Sequence, residues 1–170
     1  MVLNELKDNF QYKVIVIDRC EADDVIAQLA LSTQIDFGHI EPVMIISSDK
    51  DFGQLQKYSN IHQYSPMLKK EIKIGNPRAQ LLELILKGDT ADGIPNVLSG
   101  DNIFLEEGRQ NKLTQKKIDE ITKDLDEGEL LYAADWYRNY MRNKKLIDLT
   151  ELMLLAGARE SVNRLARSRT

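Results

Sequence analysis

An α/β domain whose parallel sheet is short of strands, followed by a helical region, is what this sequence predicts. Three observations predict it. Residues 13–18, Lys-Val-Ile-Val-Ile-Asp, and 42–47, Pro-Val-Met-Ile-Ile-Ser, are continuous apolar runs, the pattern of strands covered on both faces. Between them Ala22, Val25, Ile26, Leu29 and Ala30 recur at helical spacing. Strand, helix and strand in that order form a parallel unit. From Asp89 onward a Gly/Pro/Asn-rich loop gives way to helical patterning. Strands covered on both faces need neighbours, and the chain offers only weaker candidates at 61–65 and 70–74, so the sheet is expected to be incomplete.

Taken in order, residues 3–12 suit a short amphipathic helix, followed by the strand at 13–18 and the helix that begins near Ala22. Pro42 opens the second strand where a missing N–H is tolerated. Asp51–Tyr58 is a short helix candidate, and Pro66 separates the two weaker strands. Asn76 is placed to cap a helix with Pro77 at its first position. Leu81, Leu82, Leu84, Ile85 and Leu86 supply the buried side of that helix, and Gly88 ends it. Further helices are expected near 113–125 and 127–145. This half carries Lys112, Lys116, Lys117, Arg138, Arg142, Lys144 and Lys145. Tyr132, Trp136 and Tyr140 form an aromatic stripe at i, i+4 and i+8, read as core rather than as a stacking platform for bases. Ala156–Thr170 holds four arginines without an apolar period and reads as a basic tail. The expected organisation is 1–92, 93–150 and a divergent tail at 151–170.

The 170 residues suffice for a domain with a real core, and an apolar share of 42% with 29% charged is that of a globular chain. No apolar run is long enough to span a bilayer, so no membrane partner is expected. The first residues lack the basic and apolar regions of a signal peptide, and the single cysteine, Cys20, cannot form an internal disulfide. A reducing, cytoplasmic compartment is therefore expected. Cys20 itself reads as a small buried residue. The net charge of −4 argues against a general polyanion binder but leaves room for a local basic surface.

Three acidic clusters stand at element ends: Glu21-Ala22-Asp23-Asp24, Ser47-Ser48-Asp49-Lys50-Asp51 and Gly88-Asp89-Thr90-Ala91-Asp92-Gly93. The first two lie near the carboxyl edge of a parallel sheet, where such folds bind ligands. Asp49 and Asp51 are two apart, so in extended geometry both point to one side. Gathered carboxylates raise one another's pKa, and a hard divalent cation such as Mg²⁺ or Mn²⁺ relieves the repulsion. The plainer reading is that Glu21, Asp23 and Asp24 complement a helix dipole and Asp49 caps the next helix. Three clusters together favour metal. Two ions would account for two groups of ligands, one lowering the pKa of an attacking water and the other stabilising the leaving oxygen. His39 and His62 sit in isolation, and no His or Cys cluster suggests zinc. Ser47 and Ser48 have no partner base and read as strand-end hydrogen-bonders.

The stretches Cys-Glu-Ala-Asp-Asp-Val-Ile-Ala at 20–27, Ile-Ser-Ser-Asp-Lys-Asp-Phe-Gly-Gln-Leu at 46–55 and Gly-Asp-Thr-Ala-Asp-Gly-Ile-Pro-Asn-Val at 88–97 together resemble the 5′-nuclease family. That family includes flap endonucleases, the 5′-exonuclease domain of bacterial DNA polymerase I and phage ribonucleases H. The resemblance extends to about Leu149, where Asn143-Lys144-Lys145-Leu146-Ile147-Asp148-Leu149 is similar to the phage subgroup. It implies a PIN-like nuclease core followed by a helix–turn–helix-type region that grips duplex DNA. It implies Mg²⁺ ligation by Glu21, Asp23, Asp49, Asp51 and Asp92, with Asp89 acting directly or through water and Asp24 beside them. Catalysis would rest on Asp23, Asp49, Asp51 and Asp92. Lys112, Lys116 and Lys117 become candidate phosphate contacts, against the plainer reading of a solvated helix face. The implied substrates are 5′-flap or branched DNA and RNA annealed to DNA, in a phage-infected host cell.

The sequence departs from the family's pattern in three places. The family begins with a strand ending in an Asp ligand, a basic helical arch and another acidic ligand, all ahead of the Glu-Ala-Asp-Asp stretch. None of these is present, which agrees with the strand deficit and makes a separate polypeptide supplying that part a candidate partner. The usual Gly-x-Gly-x-x-x-Ala loop after Ile-Pro is replaced by Ser99-Gly100-Asp101-Asn102-Ile103-Phe104. The tail beyond Leu149 does not match. Competing readings are a structure-specific DNA-binding fragment that cleaves nothing and a small ribonuclease of the related toxin type. A phosphoacceptor receiver domain fits poorly, because it needs neither a third acidic cluster nor a basic helical appendage.

Overall fold

Helix α1, Val2–Asn9, stands where the sequence predicts one. The computed structural model describes residues 2–18, 20–35, 41–128 and 134–150. Residues 13–18 contradict the predicted strand: they run irregularly, and Val16 is 57% exposed. A strand exists only where a neighbour takes its backbone hydrogen bonds, and among the described residues none pairs with this segment. Helix α2, Ala22–Ile35, buries Val25, Ala27 and Ala30, with Ile26 and Leu29 half-buried and Ala22 exposed. The buried face is thus turned slightly from the predicted stripe.

The sheet has three strands in the order β1 (Val43–Ile46), β2 (Ile61–Ser65), β3 (Lys70–Ile72). β1 and β2 are parallel, with Val43 opposite Ile61, whereas β3 returns antiparallel to β2. The sheet is therefore mixed. The expected double coverage of β1 also fails. Ile45 is buried, but Met44 and Ile46, on the other face, are 53% and 71% exposed, and β1 is an edge strand among the described residues. Between β1 and β2 the chain forms a 3₁₀ helix, Asp51–Lys57, that buries Phe52 and Leu55. These two join Ala27, Ala30, Ile45, Ile61 and Leu149 in the first core cluster.

Helix α3, Pro77–Lys87, begins as expected, with the Asn76 side chain accepting from Ala79 N at 3.0 Å. It stops at Gly88, whose φ of 69° suits glycine, and a Cβ there would strike the carbonyls of Ile94 and Pro95. α3 joins the two halves of the molecule. Leu86 enters a cluster with Val97, Ile118, Ile121 and Trp136, while Ile85 packs with Ile94 and Ile147. Helix α4 spans Gln115–Glu127, shifted from 113–125 because Thr114 caps it and Gly128 closes it at a left-handed φ of 68°. Helix α5 spans Tyr137–Ile147, starting later than the predicted 127; residues 129–133 lie outside the described residues.

Buried amides hold α5 in place. Asn143 Nδ2 donates to Ile85 O and Pro95 O, both at 2.8 Å, and Asn139 Nδ2 donates to Val97 O at 2.9 Å. These bonds tie α5 to carbonyls of α3 and of the following loop, and Arg142 adds a bond to Pro95 O at 3.1 Å. Trp136 is buried and meets Tyr137 and Tyr140 edge-on, with centroids 6.0 and 6.2 Å apart, so this part of the aromatic stripe is core. Tyr132, His39 and the basic tail lie outside the described residues.

Candidate metal centre and nucleic-acid face

The three acidic stretches come from distant parts of the chain, and the fold brings their fields together. Asp23 lies in the first turn of α2, where burial raises its pKa and the charges of Asp49, Glu21, Asp24 and Asp92 raise it further. Asp24 turns back to accept from Glu21 N at 3.2 Å, so it serves as a local cap, consistent with its lesser place in the expected ligand set.

Asp49 and Asp51 follow β1 into the 3₁₀ helix. They do not adopt the extended geometry the sequence suggested. Asp49 Oδ1 accepts from Asp51 N at 2.9 Å in a local turn. Asp49 is not the helix cap of its plainer reading: Lys50 stands at that position, and no side chain caps the helix. Burial pushes Asp51 up to about 6, with Asp49 adding to the shift and Lys50 opposing it. Asp89 and Asp92 contribute to the same field from the turn beyond α3. That turn is closed by Ile94 N donating to Asp89 O at 2.7 Å.

Lys50 is the feature the sequence reading passed over. It lies between Asp49 and Asp51, yet its ammonium reaches Asp89 Oδ2 at 2.6 Å. This hydrogen bond lowers the pKa of Asp89 and raises that of Lys50. Two glutamines also escaped notice. Gln63, fully buried on β2, donates to Ser47 O at 2.9 Å and Asp49 O at 2.6 Å, and Gln80 of α3 approaches Lys50 O at 3.5 Å. Both hold the backbone of the acidic turn. An inward-facing polar residue in a strand beside an acidic turn was the available signal for Gln63.

Among the described residues no three Asp, Glu, His or Cys side chains converge into a ready-made ion cage. The donor chemistry nonetheless suits a hard cation: every candidate ligand is a carboxylate oxygen, and a cationic side chain already neutralises one of them. Ser47 and Ser48 are hydrogen-bonders, as expected, with Ser48 Oγ 2.7 Å from Ser65 Oγ. His62 is exposed and pairs with Glu71 at 3.1 Å, and Cys20 is half-buried rather than buried.

Lys112, Lys116 and Lys117 gather at the start of α4. Lys112 and Lys116 are exposed, and Lys117 pairs with Glu120 at 3.1 Å. Beyond its first turn α4 is acidic, carrying Asp119, Glu120, Asp124, Asp126 and Glu127, so any attraction for phosphate is confined to its N-terminal end. In the loop ahead of α4, Asp101 accepts from Arg138 at 3.2 Å and also from Arg142, which fixes both arginines to that loop. No helix among the described residues is long and apolar enough to cross a membrane.

Comparison with known proteins adds to this geometry. Residues 1–81 match the family model for the 5′-3′ exonuclease N-terminal resolvase-like domain. The chain is 37% identical over 152 residues to the ribonuclease H of Enterobacteria phage T4, a match covering 86% of this chain and 49% of that protein. It is 38% identical over 84 residues to the flap endonuclease Xni of Shewanella sp. (strain ANA-3), covering 45% of this chain and 31% of the relative. The chain thus spans about half the length of the first relative and less of the second. In fold it is similar to a mutant phage T5 5′-exonuclease, with a TM-score of 0.59, 19% identity and coverage of 98% of this chain and 76% of that one. A phage T5 flap endonuclease solved with DNA and metal ions matches with a TM-score of 0.59 and 18% identity over 98% of this chain and 66% of that one.

Proposed function

We propose that this chain, whose residues 1–81 match the 5′-3′ exonuclease N-terminal domain and which is 37% identical to the T4 ribonuclease H, is the metal-binding and duplex-binding part of a Mg²⁺-dependent 5′-nuclease. The observation that carries the proposal is the link between the acidic stretches, in which Lys50, between Asp49 and Asp51, bonds Asp89 Oδ2 at 2.6 Å, while Asp49 and Asp92 raise the pKa of Asp23 on α2. Glu21, Asp23, Asp49, Asp51, Asp89 and Asp92 are the residues that would hold Mg²⁺ or Mn²⁺. When bound, a pair of such ions supplies an activated water and neutralises charge on the phosphoryl group. The chain's own contribution is positional. Gln63 and Gln80 hold the backbone of the turn bearing Asp49 and Asp51, and the Asp89–Ile94 turn brings Asp89 and Asp92 into their field.

Residues 1–92 form the nuclease core in this reading, and 93–150 the region that grips the duplex, with Lys112, Lys116 and Lys117 as phosphate contacts. The substrates are 5′-flap or branched DNA and RNA–DNA duplex. The names of the T4 and Shewanella relatives, a ribonuclease H and a flap endonuclease, support both kinds of substrate. The exposed Met44 and Ile46 and the edge of β1, unpaired among the described residues, support a further strand, from outside the described residues or from a separate polypeptide, that completes the sheet beside the acidic turn.

The second reading is a structure-specific DNA-binding fragment without cleavage, favoured by the lack of a closed cage among the described carboxylates. Cleavage of a 5′-labelled flap duplex in Mg²⁺ tests the two. Mg²⁺-dependent release of the 5′ end, lost on Asp49→Asn, supports the nuclease. Tight flap binding without cleavage, alone or with the completing polypeptide, supports the binding fragment.

A further inference from the structure

We propose that Lys50 is a tethered cation that competes with the divalent ion for Asp89 and must leave when the ion enters. The proposal rests on the metal reading above. Both oxygens of Asp89 are engaged: Oδ1 accepts from Ala91 N at 2.9 Å, and Oδ2 accepts from the Lys50 ammonium at 2.6 Å. The carboxylate side chain is only 15% exposed, so the pair is more shielded than an ordinary surface ion pair. The backbone of Lys50 is fixed, with its carbonyl accepting from Gly53 N at 3.1 Å and lying near Gln80 Nε2. Its side chain is 55% exposed on a flexible four-carbon stem, so the ammonium can swing out while the turn stays in place.

A divalent ion bound by Asp89 together with Asp49 or Asp51 would stand within a few ångströms of that ammonium, and like charges so close repel strongly. Either the ion or the ammonium holds Oδ2. Without metal, Lys50 neutralises part of the acidic cluster. With metal, the displaced ammonium remains tethered at the edge of the site, where it can meet a phosphate oxygen of the substrate.

The experiment is a Mn²⁺ titration of the full chain followed by electron paramagnetic resonance, which counts free ion directly. Lys50→Met and Lys50→Gln should bind Mn²⁺ more tightly than the parent, on the order of fivefold. Lys50→Arg, which keeps the charge, should bind like the parent. In an Asp89→Asn background Lys50→Met should change nothing. Circular dichroism confirms that each variant is folded. Saturable binding by the parent with equal or weaker binding by both neutral variants would overturn the competition while leaving the metal site in place. Absence of saturable binding by the parent and the neutral variants alike would overturn the metal reading, and the competition with it.

Discussion

Gln54, on the 3₁₀ helix after β1, and Leu149, beyond the end of α5, are joined through a buried hydrogen bond in which Leu149 N donates to Gln54 Oε1 at 2.9 Å. The same side chain donates from Nε2 to Ile147 O at 3.0 Å. Gln54 is 1% exposed, so one amide satisfies a backbone donor and a backbone acceptor in a dry interior. It ties the end of the helical half to the element that carries Asp51. Replacing Gln54 by Leu would strand both backbone groups. Chemical denaturation should show a loss of about 2–4 kcal/mol, and a loss below half that would mean the contact does not hold the two halves together.

Asp51 makes stability depend on pH. Its carboxyl titrates near 6 in the folded chain against an ordinary 3.8, so between those values the folded chain keeps a proton that the unfolded chain has released. Stability from this group is therefore full below about pH 4 and is lost as pH rises through 6. Asp23 shifts in the same direction, and Asp89, held low by Lys50, works in the opposite one. Asp51→Asn should stabilise the folded chain at pH 7.5 by about 1 kcal/mol after solvent screening, read as a higher thermal midpoint, and the gain should vanish by pH 4. A gain that grows on acidification would contradict the assignment.

Divalent metal should reverse the penalty carried by the cluster. Saturating Mg²⁺ or Mn²⁺ binds only the folded chain and should raise its thermal midpoint by mass action. The double variant Asp49→Asn, Asp51→Asn should lose most of that rise while being no less stable than the parent without metal. An unchanged midpoint for the parent in saturating Mn²⁺ would count against the site.

Binding of flap DNA should weaken as salt rises, because phosphate contacts release counterions. Lys112→Ala, Lys116→Ala and Lys117→Ala combined should lower affinity for all sequences and reduce the salt slope. Since Lys117 already pairs with Glu120, its single substitution should matter least of the three. Equal binding by the triple variant and the parent would move the grip to another surface.

Much of this architecture was legible in local chemistry. Asn76, Pro77 and Gly88 delimit α3 because capping and left-handed termination depend on those residue types alone. The acidic stretches were legible because carboxylates seldom gather without reason. Residues 13–18 misled because an apolar run records a strand's suitability and not the presence of its partner. The start of α5 misled because its apolar spacing continues through the turn ahead of Tyr137. Lys50 and Gln63 were missed because their roles depend on groups far along the chain, Asp89 for one and the carbonyl of Asp49 for the other.

The central claim is that carboxylates from three segments hold divalent ions together, and locating the ion tests it most directly. Crystals of the chain grown with Mn²⁺ and measured near the manganese absorption edge give an anomalous map in which the ion is seen without interpretation of the protein density. The account predicts a peak among Asp23, Asp49, Asp51, Asp89 and Asp92, with the Lys50 ammonium withdrawn from Asp89. A map with no peak at these carboxylates in saturating Mn²⁺, or with Mn²⁺ only elsewhere on the chain, would contradict it.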